Sequence, residues 1–228
     1  MNASFTGETN SGTRALVGDI DNLVIAGWTG RDAAAVEKHI AELERLGVKR
    51  PKTTPIFYRV AASLLTTAPA IEVAGPDSSG EVEPVVVSLA DGLWIGVGSD
   101  HTDRKAEAIN VTISKQLCAK PVSSRLWPYA EISGHWDRLV LRSFATIGGE
   151  RRLYQEGPVA ALRPPPELMS KYLKNNNRLP PGTVMFCGTL AVRGEIVPAA
   201  RFEIELDDPV LGRRLAHAYE IKPLPVEG

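Results

Sequence analysis

The feature that most constrains the fold of this chain is a succession of short β-type segments, separated by turn residues, that begins at Ala70. The segments are rich in β-branched residues or alternate apolar with polar residues, as strands do, and they cover residues 71–74, 85–90, 93–97, 110–113, 138–144, 184–192 and 201–206. Asp91 and Gly92 separate two of them and are the pair most typical of a two-residue hairpin loop. The sequence therefore predicts a mixed, mostly β (α+β) fold.

The N-terminal part of the chain has a different pattern. A helix is predicted at about residues 32–46, because Val36, Ile40 and Leu43 lie at helical spacing and Gly47 follows as a stop signal. Residues 1–14 are rich in Ser, Thr, Asn and Gly and are expected to form a flexible tail. Residues 56–65 are compatible with a strand or a short helix. Since the sequence contains no internal repeat or long linker, residues 15–228 are expected to form a single domain.

Charge and apolar content exclude several classes of protein. The 228 residues include 26 Lys and Arg and 27 Asp and Glu, which gives a net charge of -1 and a pI near 6.4. Such a balance creates no positive field that would attract nucleic acid. No stretch approaches the roughly 18 apolar residues of a membrane span, and the N-terminus lacks the pattern of a signal peptide, so a cytoplasmic protein is expected. The two cysteines, Cys118 and Cys187, lack the spacing of a zinc site or a disulfide framework.

Three carboxylates are expected to meet at the open end of the predicted hairpin. If Asp91 and Gly92 are the central turn residues, residue pairs whose numbers sum to 183 face each other, so Glu83 lies opposite Asp100. Glu81 lies on the same face as Glu83, because side chains two apart on a strand point the same way. Like charges this close require a counter-charge, and a hard divalent cation suits carboxylate oxygens. A site for Mg²⁺ or Mn²⁺ is therefore one hypothesis.

An alternative is equally compatible with the spacing of these acids. Residues 78–83 would then form a solvated loop and residues 100–104 a polar turn, with every charge facing water. Pro84 also lies within the predicted ladder, where it cannot donate a hydrogen bond, so a bulge could shift the register by one residue.

The predicted helix carries a candidate general base. His39 and Glu42 are i, i+3 neighbours at the edge of the apolar stripe. A carboxylate beside an imidazole orients the ring and raises its basicity, as a base that activates water requires. The alternative is an exposed polar pair on a helix that carries many other charges.

Taken in order, these residues resemble the fumarylacetoacetate hydrolase superfamily, and in particular a bacterial branch of it. The resemblance extends over about residues 24–206. Its motifs are a glycine-rich start, His-x-x-Glu on a helix, Phe-x-Lys, Glu-x-Glu, Asp-x-Thr-x-Arg, a Lys before a Pro-Val step, and Gly-Thr. Their counterparts here are Gly27, Trp28, His39, Glu42, Pro55, Phe57, Arg59, Glu81, Glu83, Asp100, Thr102, Arg104, Lys115, Pro121, Val122, Gly188 and Thr189.

The resemblance implies a role for each of these positions. Glu81, Glu83 and Asp100 would bind Mg²⁺ or Mn²⁺, the trio that the hairpin also selects. His39 and Glu42, on a mobile lid helix, would activate water, with Lys115 as a third catalytic residue. Substrate would be bound by Arg59, Arg104 and Thr189.

The resemblance also implies a fold and an activity. The fold would be a rolled β-sheet with an N-terminal lid helix, in a homodimer. The activity would be hydrolysis of a C–C bond in a 2-oxoacid or acylpyruvate-like 1,3-dicarbonyl through a metal-bound enolate. The same site would also suit an oxaloacetate-type decarboxylase, an isomerase or a sugar-acid dehydratase, and a non-enzymatic carboxylate-binding protein is a further alternative.

Departures from the family pattern concern the substrate more than the metal. Arg59 replaces the usual Lys, which keeps the charge but changes its geometry. Asp103 adds an acid beside Asp100, Glu107 stands where some members have Gln, and Leu190 replaces a Pro after the Gly-Thr pair.

Overall fold

A computed structural model describes residues 1–45, 50–174 and 178–227. Its largest element is an eight-stranded mixed sheet in the order β2-β1-β12-β9-β8-β15-β3-β4. In chain order these strands are β1 Asn2–Thr9, β2 Gly12–Asp19, β3 Asn22–Gly27, β4 Ile56–Val60, β8 Val82–Leu89, β9 Gly92–Ser99, β12 Arg125–Pro128 and β15 Thr183–Phe186.

A second sheet has five strands in the order β14-β13-β16-β17-β6. These are β6 Ala70–Ala74, β13 Val140–Ile147, β14 Glu150–Pro158, β16 Arg201–Asp208 and β17 Arg213–Leu224. Two short ribbons complete the β-structure: β7 Ser78–Ser79 pairs with β10 Thr102–Asp103, and β5 Leu65–Thr66 pairs with β11 Lys120–Pro121.

The helices are short, apart from the first. They are α1 Ala33–Arg45, α2 Arg104–Glu107, α3 Val111–Gln116, α4 Tyr129–Ile132 and α5 Pro165–Tyr172, with 3-10 turns at Ala62–Leu64, Ser133–Arg138 and Val159–Ala161. The α1 helix agrees with the prediction, and Asp32 begins it by accepting hydrogen bonds from the amides of Ala34 and Ala35. No helix in the described ranges is long and apolar enough to cross a membrane.

The central strand β8 of the eight-stranded sheet is buried on both faces, and most of its side chains are apolar. Val86 belongs to a core shared with the five-stranded sheet, for example with Phe202. Val85 points the other way, into a core that every strand of the eight-stranded sheet helps to fill, from Phe5 in β1 to Val60 in β4. A sheet whose own strands enclose a core is rolled. The mostly β, rolled-sheet fold expected from the sequence is therefore confirmed.

Residues 1–14 do not form the flexible tail that we expected. They pair in the β1–β2 hairpin, with Asn2 opposite Asp19 and Thr9 opposite Gly12. Ala3 and Phe5 are buried, whereas Asn2, Ser4 and Thr6 are exposed. The small polar residues that indicated disorder are the solvent-facing half of an alternating strand.

Two further strand predictions need correction, and one segment that the sequence left open is resolved. The strand predicted at residues 184–192 ends at Phe186. Residues 110–113, expected as a strand, instead begin helix α3, because the Asn110 side chain caps it by accepting a hydrogen bond from the amide of Ile113. The ambiguous residues 56–65 divide into a strand and a 3-10 turn.

Candidate metal centre

The β8–β9 hairpin has a different register from the predicted one. Glu83 pairs with Gly98 and Val86 with Ile95, so the turn consists of Ala90 and Asp91. The ladder passes through Pro84 without a change of register. Each residue therefore pairs with a partner two positions away from the predicted one. Because side chains alternate with a period of two, this shift leaves every side chain on its predicted face.

The three predicted carboxylates do come together at the open end of this hairpin. The Asp100 amide donates to the Glu81 carbonyl at 3.0 Å, which places these two residues directly across from each other. One carboxylate oxygen from each of Glu81, Glu83 and Asp100 lies within 4.8 Å of the other two. Glu83 is 2 % exposed and Asp100 is fully buried. The alternative of a solvated loop and turn is thereby excluded.

Two lysines flank Asp100. Lys115, on α3, forms an ion pair with one Asp100 oxygen and lies 3.8 Å from a Glu81 oxygen. Lys120, on β11, is also fully buried; its Nζ lies 3.2 Å from the other Asp100 oxygen and donates to the carbonyls of His101 and Cys118. Lys115 was expected at the site from the resemblance. Lys120 was missed, because nothing in its local pattern shows that the chain buries its ammonium group.

Arg104 lies at the edge of the same cluster. Its guanidinium contacts Glu81 at 3.0 Å, Glu107 at 2.7 Å and the Ser79 hydroxyl at 2.7 Å. Arg104 is therefore brought to the site, where it is held by two carboxylates.

Burial and mutual repulsion set the protonation of the cluster. Burial raises the pKa of Glu83 well above its ordinary value, and the neighbouring charges of Asp100 and Glu81 raise it further. Burial also acts to raise the pKa of Asp100, but Lys115 and Lys120 outweigh it and hold that pKa below its ordinary value. Burial acts to lower the pKa of Lys115, yet Asp100 and Glu81 raise it overall. Asp100 and Lys115 are therefore a charged pair, beside a glutamate that resists ionisation.

A glycine loop after β15 holds Glu83. The Gly188 amide donates to a Glu83 oxygen at 2.6 Å. Gly188 has φ +95°, and a Cβ there would lie 1.7 Å from the Thr29 hydroxyl oxygen, so this position requires glycine. The next residue, Thr189, donates its hydroxyl to the Val82 carbonyl and accepts from Gln155. Thr189 thus fastens the loop that carries the Gly188 amide.

Arg59 is not brought to the carboxylates. Its guanidinium contacts Asn22 and the Tyr172 hydroxyl, and its strand neighbour Phe57 packs against Tyr172 in the core shared with the second sheet. Tyr58 lies on the opposite face, with Lys115 Nζ 5.8 Å from its ring centroid. The resemblance implied that Arg59 binds substrate, whereas the face of β4 toward the carboxylates carries Tyr58.

His39 and Glu42 lie within the backbone of α1. Their side chains are outside the described part of the structure, so their placement relative to the carboxylates stays a prediction.

A buried hydrogen-bond chain supports the cluster from behind. His101 contacts the Tyr219 hydroxyl at 3.0 Å and the Ser78 hydroxyl at 2.9 Å, and Tyr219 donates to Ser99. The Ser99 hydroxyl in turn accepts from the Glu81 amide. Burial lowers the pKa of His101 to about 3, so its imidazole is neutral. These contacts tie the backbone next to two of the carboxylates to β17.

The donor set fits a hard divalent cation. Three carboxylates offer the oxygen ligands that Mg²⁺ and Mn²⁺ prefer. Asp100 Oδ1 is buried and has no hydrogen-bond partner among the described residues, although Lys120 lies 3.2 Å away. Buried polar atoms are rarely left in this state. A cation bound between the carboxylates would satisfy Asp100 and relieve the repulsion that raises the pKa of Glu83.

Comparison with known proteins identifies both a family and a fold. The model of one family, described as "Protein of unknown function (DUF2848)", matches residues 26–219. None of the curated proteins matches the chain.

Solved structures with the same fold are fumarylacetoacetate hydrolase-like. A protein assigned to the fumarylacetoacetate hydrolase family from Yersinia pestis CO92 has a TM-score of 0.64 at 18% identity, and the match covers 95% of this chain and 100% of that one. Fumarylpyruvate hydrolase from Pseudomonas aeruginosa, in complex with Mn²⁺ and pyruvate, has a TM-score of 0.61 at 17% identity, with 97% of each chain covered. A 2-keto-3-deoxyarabinonate dehydratase has a TM-score of 0.64 at 19% identity, with 94% and 78% covered. At these identities the similarity establishes the fold.

Proposed function

Since this chain belongs to the family of unknown function DUF2848 and has the fold of fumarylacetoacetate hydrolase-like proteins, we propose that it is a divalent-metal-dependent enzyme that acts on 2-oxoacids. The observation that carries the proposal is a cluster of three carboxylate oxygens within 4.8 Å of one another. Glu83 and Asp100 in this cluster are buried, and Lys115 forms an ion pair with Asp100. The reaction proposed is hydrolysis of a C–C bond in an acylpyruvate-like substrate. The ion proposed is Mg²⁺ or Mn²⁺, and the assembly proposed is a homodimer.

Glu81, Glu83 and Asp100 would hold the cation. When bound, it would act as a Lewis acid toward the 2-oxo and carboxylate oxygens of the substrate. Lys115 lies close enough to Asp100 and Glu81 to place a fixed positive charge beside an anionic substrate oxygen. Lys120 holds Asp100 from the other side, which prevents its carboxylate from turning away.

The attacking water would be activated by His39, with Glu42 orienting the imidazole. We retain these roles as predictions, on the motif and its position in α1. The expected result of His39→Ala is a loss of turnover of about 10²-fold or more with metal binding unchanged. If every tested turnover persisted in this variant, water activation by His39 would be wrong, and a binding role for the lid pair would gain support.

The same carboxylate cluster would also serve a decarboxylase, an isomerase or a dehydratase. That a dehydratase shares the fold supports keeping these reactions as alternatives. Product analysis separates them. Hydrolysis of an acylpyruvate releases pyruvate and a carboxylic acid, and oxaloacetate decarboxylation releases CO₂. Dehydration of a sugar acid removes water and keeps the carbon chain, whereas isomerisation leaves the molecular formula unchanged.

A thermal melt tests the metal site directly. Purified protein is melted with EDTA, Mg²⁺ or Mn²⁺, with and without oxalate, beside Glu83→Ala and the exposed control Glu72→Ala. A cation that binds only the native state, at 100 times its Kd, stabilises by about 2.7 kcal/mol. We expect the metal to raise the Tm of wild type and Glu72→Ala, oxalate to raise it further only with metal present, and Glu83→Ala to lose both effects. No shift in wild type with either metal would refute the site.

A further inference from the structure

We propose that Tyr58 is a substrate-contacting residue of this site, whose phenol O–H donates a hydrogen bond to an anionic oxygen of the substrate that Lys115 also binds. The proposal rests on the proposed function, since it assumes an oxoacid at the carboxylate cluster. It assigns to Tyr58 the place that Arg59 would take in the resemblance.

The register of the eight-stranded sheet puts Tyr58 on the face of the carboxylates. Across four adjacent strands, Val85 pairs with Phe186, Phe186 with Ile25, and Ile25 with Tyr58. Residues paired in this way share a face. Glu83 lies two residues from Val85 on β8 and therefore shares it too.

The Tyr58 ring reaches back across the sheet toward the cluster. A Cβ placed on Gly27, in the next strand, would lie 3.0 Å from Tyr58 Cε2, so the ring lies over the glycine of β3. Three strand spacings separate β4 from β8, or about 14 Å, and glycine at position 27 leaves the ring free to cover part of this distance.

Lys115 links the ring to the carboxylates. Its Nζ lies 5.8 Å from the ring centroid, within cation–π range. The same Nζ forms the ion pair with Asp100 and lies 3.8 Å from Glu81. A substrate oxygen at the ammonium group would therefore be within reach of the aromatic side chain.

The hydroxyl of Tyr58 is suited to donate. The Trp28 side chain donates a hydrogen bond to it, which leaves the phenolic proton for another acceptor. Burial is the largest cause that raises the pKa of Tyr58 above its ordinary value, so the group keeps its proton at neutral pH. Trp28 lies in the connection from β3 to α1. Its φ of +57° is strained for a residue with a large side chain.

The test compares two Tyr→Phe substitutions on opposite faces of the sheet. Mn²⁺ binding, and then oxalate binding to the Mn²⁺-loaded protein, are measured by calorimetry for wild type, Tyr58→Phe and Tyr172→Phe. Tyr172 is the control, because its hydroxyl contacts Arg59 on the far side of β4. We expect Tyr58→Phe to keep the Mn²⁺ affinity of wild type and to bind oxalate about tenfold more weakly, as loss of a hydrogen bond to a charged group predicts. Tyr172→Phe should match wild type in both.

The outcomes separate this proposal from the function on which it rests. If wild type binds Mn²⁺ and oxalate and Tyr58→Phe binds both equally well, the role of Tyr58 is wrong while the metal site stands. The same conclusion follows if Arg59→Gln, measured in parallel, loses oxalate affinity and Tyr58→Phe does not. If wild type binds neither Mn²⁺ nor oxalate, both proposals fall.

Discussion

At the scale of single residues, Glu83 combines two opposed demands. The protein buries it among like charges, which raises its pKa, while a metal site needs it ionised. A carboxyl group whose pKa is higher in the folded state binds more protons there, so the metal-free protein loses stability as pH rises through this range.

We therefore predict that Glu83→Gln makes the metal-free protein as stable as wild type, or more stable, at pH 7. At pH 4 the two proteins should converge, because the wild-type carboxyl is then protonated. Urea unfolding in EDTA at the two pH values checks this, with the exposed Glu72→Gln as control. A variant that is several kcal/mol less stable than wild type at pH 7 would contradict the assignment of a repelled, buried carboxylate.

Gly188 is a second residue of the candidate site whose backbone conformation and close contacts restrict the side chain. A pair of glycines separates backbone strain from steric overlap: Gly194 has φ +98° with open space at its Cβ position, whereas Gly188 has φ +95° with Thr29 at 1.7 Å. We predict that Gly194→Ala costs about 1–3 kcal/mol from strain alone. Gly188→Ala should cost a further 1–3 kcal/mol or so from overpacking. If chemical denaturation showed the same loss of stability for both variants, the Thr29 side chain would be able to move away from the added methyl group at little cost.

At the scale of elements, the β1–β2 hairpin is part of the fold. Phe5 is 5 % exposed and packs in the core enclosed by the rolled sheet. We predict that Phe5→Ala destabilises the protein by about 3–5 kcal/mol. Its exposed neighbour Ser4→Ala should change stability by less than about 0.5 kcal/mol. Urea denaturation measures the free energy of unfolding of both variants. If neither substitution changed it, the N-terminal residues would form a flexible tail after all.

Also at this scale, the β8–β9 hairpin shows why a wrong register still led to the right cluster. The turn is Ala90-Asp91 instead of Asp91-Gly92, which shifts each cross-strand partner by two residues, so the predicted pair Glu83 and Asp100 is replaced by Glu81 and Asp100. An even displacement preserves the faces of both strands. A shift of one residue would have placed Asp100 on the opposite face from Glu81 and Glu83.

At the scale of the whole molecule, both cores use the same sheet. Trp94 lies in the core enclosed by the rolled sheet, and Trp136 lies in the core between the two sheets. Since β8 contributes side chains to both, one core cannot lose its packing without exposing the strand that supports the other.

We therefore predict one cooperative unfolding transition. With fluorinated tryptophan incorporated at the four Trp positions, ¹⁹F NMR reports each core without mutation. The Trp94 and Trp136 signals should convert to unfolded resonances at the same urea concentration, together with the far-UV circular dichroism. Separate midpoints would show that the two faces form independent units, against the single domain expected from the sequence.

The sequence by itself determined the local properties of this protein. Hydrophobic periodicity predicted α1 and the strands on either side of Asp91. The alternation of side chains along a strand predicted that Glu81, Glu83 and Asp100 share a face. These properties depend only on neighbours along the chain, because side-chain direction repeats every 3.6 or 2 residues.

The tertiary structure decided what depends on distant partners. Three features follow from segments that are far apart in sequence. They are the burial of Phe5, the position of Lys120 against Asp100, and the placement of Tyr58 beside Lys115. A lysine or tyrosine has the same local pattern whether it faces water or a carboxylate. Only the packing of the rolled sheet, which removes water from one face and gathers the charges there, separates the two cases.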